Sequence, residues 1–136
     1  MQFPFIKENG NVITNTIIKE KDLLELLIKE ANKGEMYYRH SACIFNGNEL
    51  ISIAHNYIPN TKLNNLYSIH AEIAAILKMP KKIKSKKNLK LYVIRLSNED
   101  NSKLLFSKPC NNCLNTIKKK LPGIPVIYYS YSELNN

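Results

Sequence analysis

Apolar residues in this chain fall into short runs whose spacing switches between a helical and a strand period. Within residues 20–32, Leu23, Leu24, Leu27, Ile28 and Ala31 recur at i, i+1, i+4, i+5 and i+8, one face of a helical repeat. A helix is expected there, closed by Gly34. Residues 41–46 and 49–54 are rich in apolar and β-branched types and flank Gly47-Asn48, a pair suited to a tight hairpin turn. They should form an antiparallel pair. Residues 55–67 are polar, contain Pro59 and lack any period, so a loop is expected. From residue 70 to about 79, Ile73, Ala74, Ile76 and Leu77 give a buried helical face that Pro80 stops.

Residues 80–90 form a lysine-rich connector. Within 89–96, Leu91-Tyr92-Val93-Ile94 is a nearly continuous apolar run that suits a central strand buried on both faces. A polar loop or hairpin follows over 98–108, then a helix from about 110 to 120 with Leu114 and Ile117 inward and Lys118 to Lys120 at its negative end. Pro122-Gly123 breaks that helix, and 126–129 reads as a further strand. Residues 3–6 and 12–18 are apolar but too short and irregular to assign. The order helix, hairpin, helix, strand, helix, strand predicts an α/β fold, a sheet covered by helices whose last two strands run parallel. With no repeat, coiled coil or linker, residues 1–136 read as a single domain.

Composition narrows the setting. Two of the three cysteines sit in one C-x-x-C pair and Cys43 stands alone in an apolar run, unlike a disulfide framework, so a reducing, cytoplasmic compartment is expected. Residues 1–7 lack the pattern of a signal peptide, and the longest apolar stretch, 23–28, is interrupted by Glu25. A soluble protein with no membrane partner is expected. The net charge of +9 invites a nucleic-acid reading. However, Lys, Asn, Ile and Tyr, all with A/T-rich codons, make up 61 of 136 residues, and there are only 2 Arg. Genome bias accounts for such a charge without a polyanionic partner.

Two stretches carry chemistry: Ser68-Ile69-His70-Ala71-Glu72-Ile73 and Pro109-Cys110-Asn111-Asn112-Cys113, an H-x-E followed by P-C-x-x-C. Cys110 and Cys113 are three apart at the start of a predicted helix, so both sulfurs can share one face. A helix N-terminus also favours the thiolate that a metal needs. His70 supplies a third ligand, and two thiolates with one imidazole match a catalytic zinc pattern whose fourth position is left to water. Glu72 lies two residues from His70, roughly 200° around an ideal helix. His70 should therefore sit at the helix entry, near the N-cap, with Glu72 in the first turn, placed to move a proton from zinc-bound water to the ring nitrogen and the leaving amine. Two other readings stand beside this one: a redox C-x-x-C, and a structural zinc closed by Cys43, His40 or His55.

The two motifs together resemble the cytidine deaminase-like superfamily, from about residue 23 to 129. The resemblance implies a three-layer α-β-α fold, a mixed sheet with an N-terminal antiparallel hairpin, and Zn2+ as cofactor. Its metal ligands map onto His70, Cys110 and Cys113, and its proton-shuttling carboxylate onto Glu72. It further implies that Asn56, just after the second hairpin strand, holds the substrate sugar or base edge, and that the backbone at Ala71 contacts the base. Departures are Lys108 before Pro109, where other members commonly carry Glu or Ser, and Ala74, where deoxycytidylate deaminases commonly carry Asn. Many members continue with a further helix and strand, which this sequence is expected to lack or shorten.

The function implied is hydrolytic release of ammonia from cytosine in a nucleoside or nucleotide of the CMP/dCMP type. A second reading is deamination of cytosine or adenine within single-stranded DNA or tRNA, with Lys81, Lys82, Lys84, Lys86 and Lys87 and the C-terminal tyrosines supplying charge and stacking. A third is a catalytically silent zinc-binding interaction module, against which the retained Glu72 argues. A homo-oligomer is compatible with the family.

Overall fold

In the computed structural model, which describes residues 3–10, 12–18, 20–59, 68–82, 88–99, 103–121 and 126–131, strands and helices follow one another as β1 (Phe3–Asn9), β2 (Val12–Ile18), α1 (Lys21–Asn32), β3 (Arg39–Asn46), β4 (Glu49–His55), α2 (Ala71–Lys78), β5 (Leu89–Leu96), β6 (Leu104–Leu105), α3 (Asn111–Lys120) and β7 (Val126–Ser130). Among the described residues the strands form one mixed sheet in the order β2-β1-β7-β5-β3-β4, with β6 paired to β5. β5 and β7 run parallel, as expected, and the stretch between them carries β6 and α3. All other pairings are antiparallel. Lys84, Lys86 and Lys87 of the connector, residues 60–67 of the expected loop and the Pro122-Gly123 break lie outside the described residues.

Alternation along the strands sorts side chains into two cores. Cys43, Tyr92, Ile94 and Leu96 pack with Phe5 and with Leu24, Leu27 and Ala31 of α1. Their neighbours Ala42, Ile44, Leu91 and Val93 pack on the other face with Ala71, Ala74 and Ala75 of α2 and Ile117 and Leu121. β5 is thus buried on both faces, which is why its sequence reads as an unbroken apolar run. The three alanines let α2 lie close to β3 and β4, and Ser52 of β4 donates its hydroxyl to the Ala75 carbonyl at 2.6 Å.

Two features differ from the sequence expectation, and a third bears it out with an added detail. The unassigned N-terminal runs form an antiparallel hairpin, turned at Gly10 with φ +63°, that extends the sheet beyond β7. Val12 and Ile13 of its outer strand are both exposed, so no in-out alternation marks it in the sequence. The expected hairpin is β3–β4, turned at Gly47 with φ +64° and carrying a register shift between Ile44 and Phe45. Finally, α1 ends without a left-handed glycine: Gly34 donates its N–H to the Ala31 carbonyl at 3.1 Å, and positive φ occurs at Gly10 and Gly47.

Candidate active site

α2 and α3 begin in the same way. His70 and Cys110 are their N-cap residues, both in extended conformation, and each carbonyl accepts the first helical hydrogen bond, from Ala74 N–H at 2.9 Å and Leu114 N–H at 2.8 Å. Neither side chain caps its helix. Ser, Thr, Asp or Asn normally holds this position and satisfies an N–H of the first turn. Here the imidazole and the thiol are left to meet each other instead.

The approach to each cap is pinned. Ile69 exchanges two backbone hydrogen bonds with Tyr57, at 2.7 and 3.1 Å, so the chain enters α2 from beside the end of β4. Ahead of α3, Ser107 donates its hydroxyl to the Val93 carbonyl at 2.9 Å and its N–H to the Ser130 carbonyl at 2.9 Å. The Ser130 hydroxyl in turn donates to the Leu105 carbonyl at 2.7 Å. Both serines are buried, and they fix Pro109 and Cys110 against the ends of β5 and β7.

His70 Nδ1 lies 3.1 Å from Cys113 Sγ and 3.9 Å from Cys110 Sγ, and the three donor atoms all fall within 4.8 Å of one another. Cys113 sits one turn into α3 and is buried, whereas His70 and Cys110 are exposed. Glu72, in the first turn of α2, is 4% exposed. Burial pushes its carboxyl above the usual range, while its own backbone N–H, His70 and Cys113 pull the other way. Burial, the Glu72 carboxylate and Cys110 push the Cys113 thiol well above the ordinary thiol range. The set therefore brings together groups whose anionic forms repel one another, an arrangement that a bound cation reconciles.

His70, Glu72 and Cys110 open onto a cavity of about 390 Å³, also lined by Met36, Tyr38, His40, Asn56, Ser68, Ala71, Arg95, Ser107 and Lys108. A tetrahedral zinc with bonds near 2.0–2.3 Å places donor atoms about 3.4–3.8 Å apart, close to the spacing found here.

A model of the cytidine and deoxycytidylate deaminase zinc-binding region matches residues 18–130. The chain belongs to this deaminase family. Among solved structures it is similar to the dCMP deaminase from the cyanophage S-TIM5, in apo form with 19% identity over 77% of this chain and 79% of that one, TM-score 0.48. It is also similar to that enzyme in complex with dCMP and dUMP, with 17% identity over 79% of each chain and the same TM-score. No curated protein sequence matches at a comparable level.

Measured against the family's zinc-binding region, the donor set fits. It offers two thiols and an imidazole, and among the described residues no fourth His, Cys, Asp or Glu joins them. The three side chains weighed as a closing ligand are elsewhere. Cys43 is buried in the core on the α1 face. His55 Nδ1 is 2.7 Å from Glu30 Oε2. His40 lines the cavity but lies outside the ligand group.

Asn56 and Ala71 both line the cavity. Ala71 is the first residue of α2, where backbone N–H groups have no partner within the helix. Asn56 is buried and largely committed: its Oδ1 accepts the His40 N–H at 2.9 Å, and its Nδ2 donates to the Tyr38 carbonyl at 2.7 Å and to Met36 Sδ at 3.5 Å. One lone pair on Oδ1 remains. The amide thus holds the chain entering β3 against the end of β4 and sets Tyr38 and His40 in the wall.

Sequence reasoning names His40 only as a possible closing ligand of a structural zinc and does not single out Arg95 or Tyr38. Arg95 faces the same side as Leu91 and Val93, so a charged residue at an inward strand position was the available signal. His40 pairs directly with it across β3 and β5. Burial, with Arg95 and His70 nearby, pushes the His40 imidazole down to about 4, so the ring is neutral at pH 7.

Proposed function

We propose that the whole chain is one deaminase domain that releases ammonia from cytosine carried by a nucleoside or nucleotide, of the CMP/dCMP type, in the cytoplasm. The observation that carries this is the convergence of His70, Cys110 and Cys113 beside a buried Glu72, with His70, Glu72 and Cys110 lining one cavity. His70 Nδ1 and the two sulfurs hold zinc. When bound, zinc supplies Lewis acidity that makes water a nucleophile near neutral pH.

Glu72 moves the protons. Its carboxylate takes one from the attacking water and delivers it to the ring nitrogen beside the amine-bearing carbon, then passes the second to the departing amine. A carbon–oxygen bond forms, the carbon–nitrogen bond breaks, and uracil and ammonia result. A carboxyl that burial pushes upward suits a group that must both accept and return a proton. Ala71 offers its backbone N–H to the base, and Asn56 offers its remaining acceptor position to the sugar or base edge while holding the Tyr38–His40 wall.

A second reading, deamination within single-stranded nucleic acid, draws on Tyr37, Tyr38 and Tyr57. These rings are 74%, 52% and 39% exposed beside the cavity and a neighbouring hollow.

The test is ammonia release by zinc-loaded protein from cytidine, deoxycytidine, CMP, dCMP and a cytosine-containing oligonucleotide. Release from a monomeric substrate is expected, and no release from any of the first four sinks the primary reading. Glu72→Gln should keep its zinc while turnover falls by at least roughly a hundredfold. Loss of the metal along with the activity would place Glu72 in the ligand set instead.

A further inference from the structure

The cavity holds a cation, Arg95, that no carboxylate among the described residues neutralises. Arg95 is the penultimate residue of β5, half-buried on the face that carries α2 and α3. Its register partner His40 stands beside it, and both line the cavity with Glu72 and Cys110. The guanidinium carbon sits 4.7 Å from the centre of the Tyr38 ring, which fixes the side chain by a cation–π contact, and among the described residues nothing accepts from the donor edge of the fork. Among the described residues no carboxylate pairs with it.

The other cation in the wall, Lys108, is already bridged to Glu8 at 3.7 Å, and Glu8 also accepts the Tyr129 hydroxyl at 3.0 Å. Glu72 is the single acid among the lining residues, and it is engaged by Cys113 and its own backbone. Partly burying an uncompensated guanidinium beside a neutral imidazole costs free energy. An anion in the cavity removes that cost, and a planar fork fits the oxygens of a phosphate in a bidentate way.

We propose that Arg95, held by the Tyr38 ring, binds the 5′-phosphate of a nucleoside monophosphate and so sets the enzyme's preference for nucleotide over nucleoside. This rests on the reading of the same cavity as a cytosine deaminase site. Tyr38 and Asn56 act as positioning residues: the ring holds the guanidinium, and the amide holds the backbone from which the ring projects.

The test is equilibrium binding to the zinc-loaded full chain of two ligands that the reaction does not consume, dUMP and deoxyuridine. Wild-type protein should bind dUMP roughly 10- to 100-fold more tightly than deoxyuridine, the range expected of one charge-assisted contact. Arg95→Met should bring that ratio close to one while deoxyuridine affinity stays as it was. Arg95→Lys should keep part of the preference, and covers the case in which the methionine variant fails to fold.

The proposal is overturned if wild type shows no preference for the phosphate. Equal weakening of both ligands also overturns it, because Arg95 would then serve the base or the cavity wall. So does an unchanged ratio in both variants, or an Arg95 effect confined to a single-stranded oligonucleotide. The binding ratio does not depend on turnover, so failure to release ammonia from any cytosine substrate would remove the deaminase reading and leave the phosphate contrast measurable.

Discussion

The two faces of the sheet are built from the same strands and end differently. On the α1 side, Phe5, Leu27, Cys43, Ile94 and Leu96 pack closed, and the polar groups that reach this side are paired: Ser41 donates to the Leu27 carbonyl at 2.6 Å, and His55 meets Glu30. On the α2–α3 side the packing is equally tight around Ala42, Ala74, Val93 and Ile117, but it stops where the two helices begin. Beyond that line lies the cavity. Consecutive residues divide between the two sides, Ile94 and Arg95 on β5, His55 and Asn56 at the end of β4. A strand's period of two thus lets one segment supply both a dry core and a reactive wall. The difference lies in what stands at the N-caps of the neighbouring helices, His70 and Cys110, whose side chains do not cap and meet each other instead.

The sharpest way to break the comparison uses two cysteines, both buried, one on each side. Cys113→Ser should lose zinc and with it activity by several orders of magnitude, since a hydroxyl replaces one of the two soft donors at the centre. Cys43→Ser should keep a full complement of zinc and measurable activity, at a stability cost of about 1–3 kcal/mol for a hydroxyl placed in an apolar site. Metal content per chain with thermal unfolding checks both. Equal zinc loss in the two variants would mean that the faces are not independent.

Leu27→Ala and Ile117→Ala sharpen the same contrast with a smaller effect. Each removes a fully buried side chain, and each should cost about 2–5 kcal/mol through lost transfer energy and the cavity left behind. Only Ile117 lies on a helix whose start carries two of the candidate ligands, one turn beyond Cys113. Zinc affinity of the folded protein, by competition with a chelator, should therefore weaken in Ile117→Ala and stay unchanged in Leu27→Ala.

How much of this was legible in the sequence follows the same division. The helices and strands that bury a continuous face were readable, because α1, β5 and α3 imprint their period on the chain. So were the helix start between His70 and Glu72, which falls at Ala71, and the nearness of His70, Cys110 and Cys113, whose donor atoms meet in space. The N-terminal hairpin was not, because its edge strand exposes apolar residues on both sides. Nor was the cavity wall. Asn56 was named through the family resemblance alone; Tyr38, His40 and Arg95 are brought beside it by strand register and by hydrogen bonds across β3 and β4, and no local spacing encodes either.

The smallest expected effect lies on the closed face and tests whether its polar pair is structural alone. Burial by itself would raise the Glu30 carboxyl, but the hydrogen bonds with His55 and Lys33 outweigh it and hold the group below its usual range. A carboxyl that ionises more readily in the folded than in the unfolded chain stabilises the fold above the unfolded value, near 4.3, and loses that contribution as pH falls through the lowered folded value. Glu30→Gln should therefore lower stability by about 1 kcal/mol at pH 7, and the gap to wild type should close as the solution is acidified below pH ~4. Lys33 is largely exposed, so its share of that gap should also shrink with added salt. Zinc content and the dUMP-to-deoxyuridine ratio should not move at all. A change in either would show that the α1 face communicates with the cavity through the step from His55 to Asn56, and the separation between the two sides of the sheet would have to be given up.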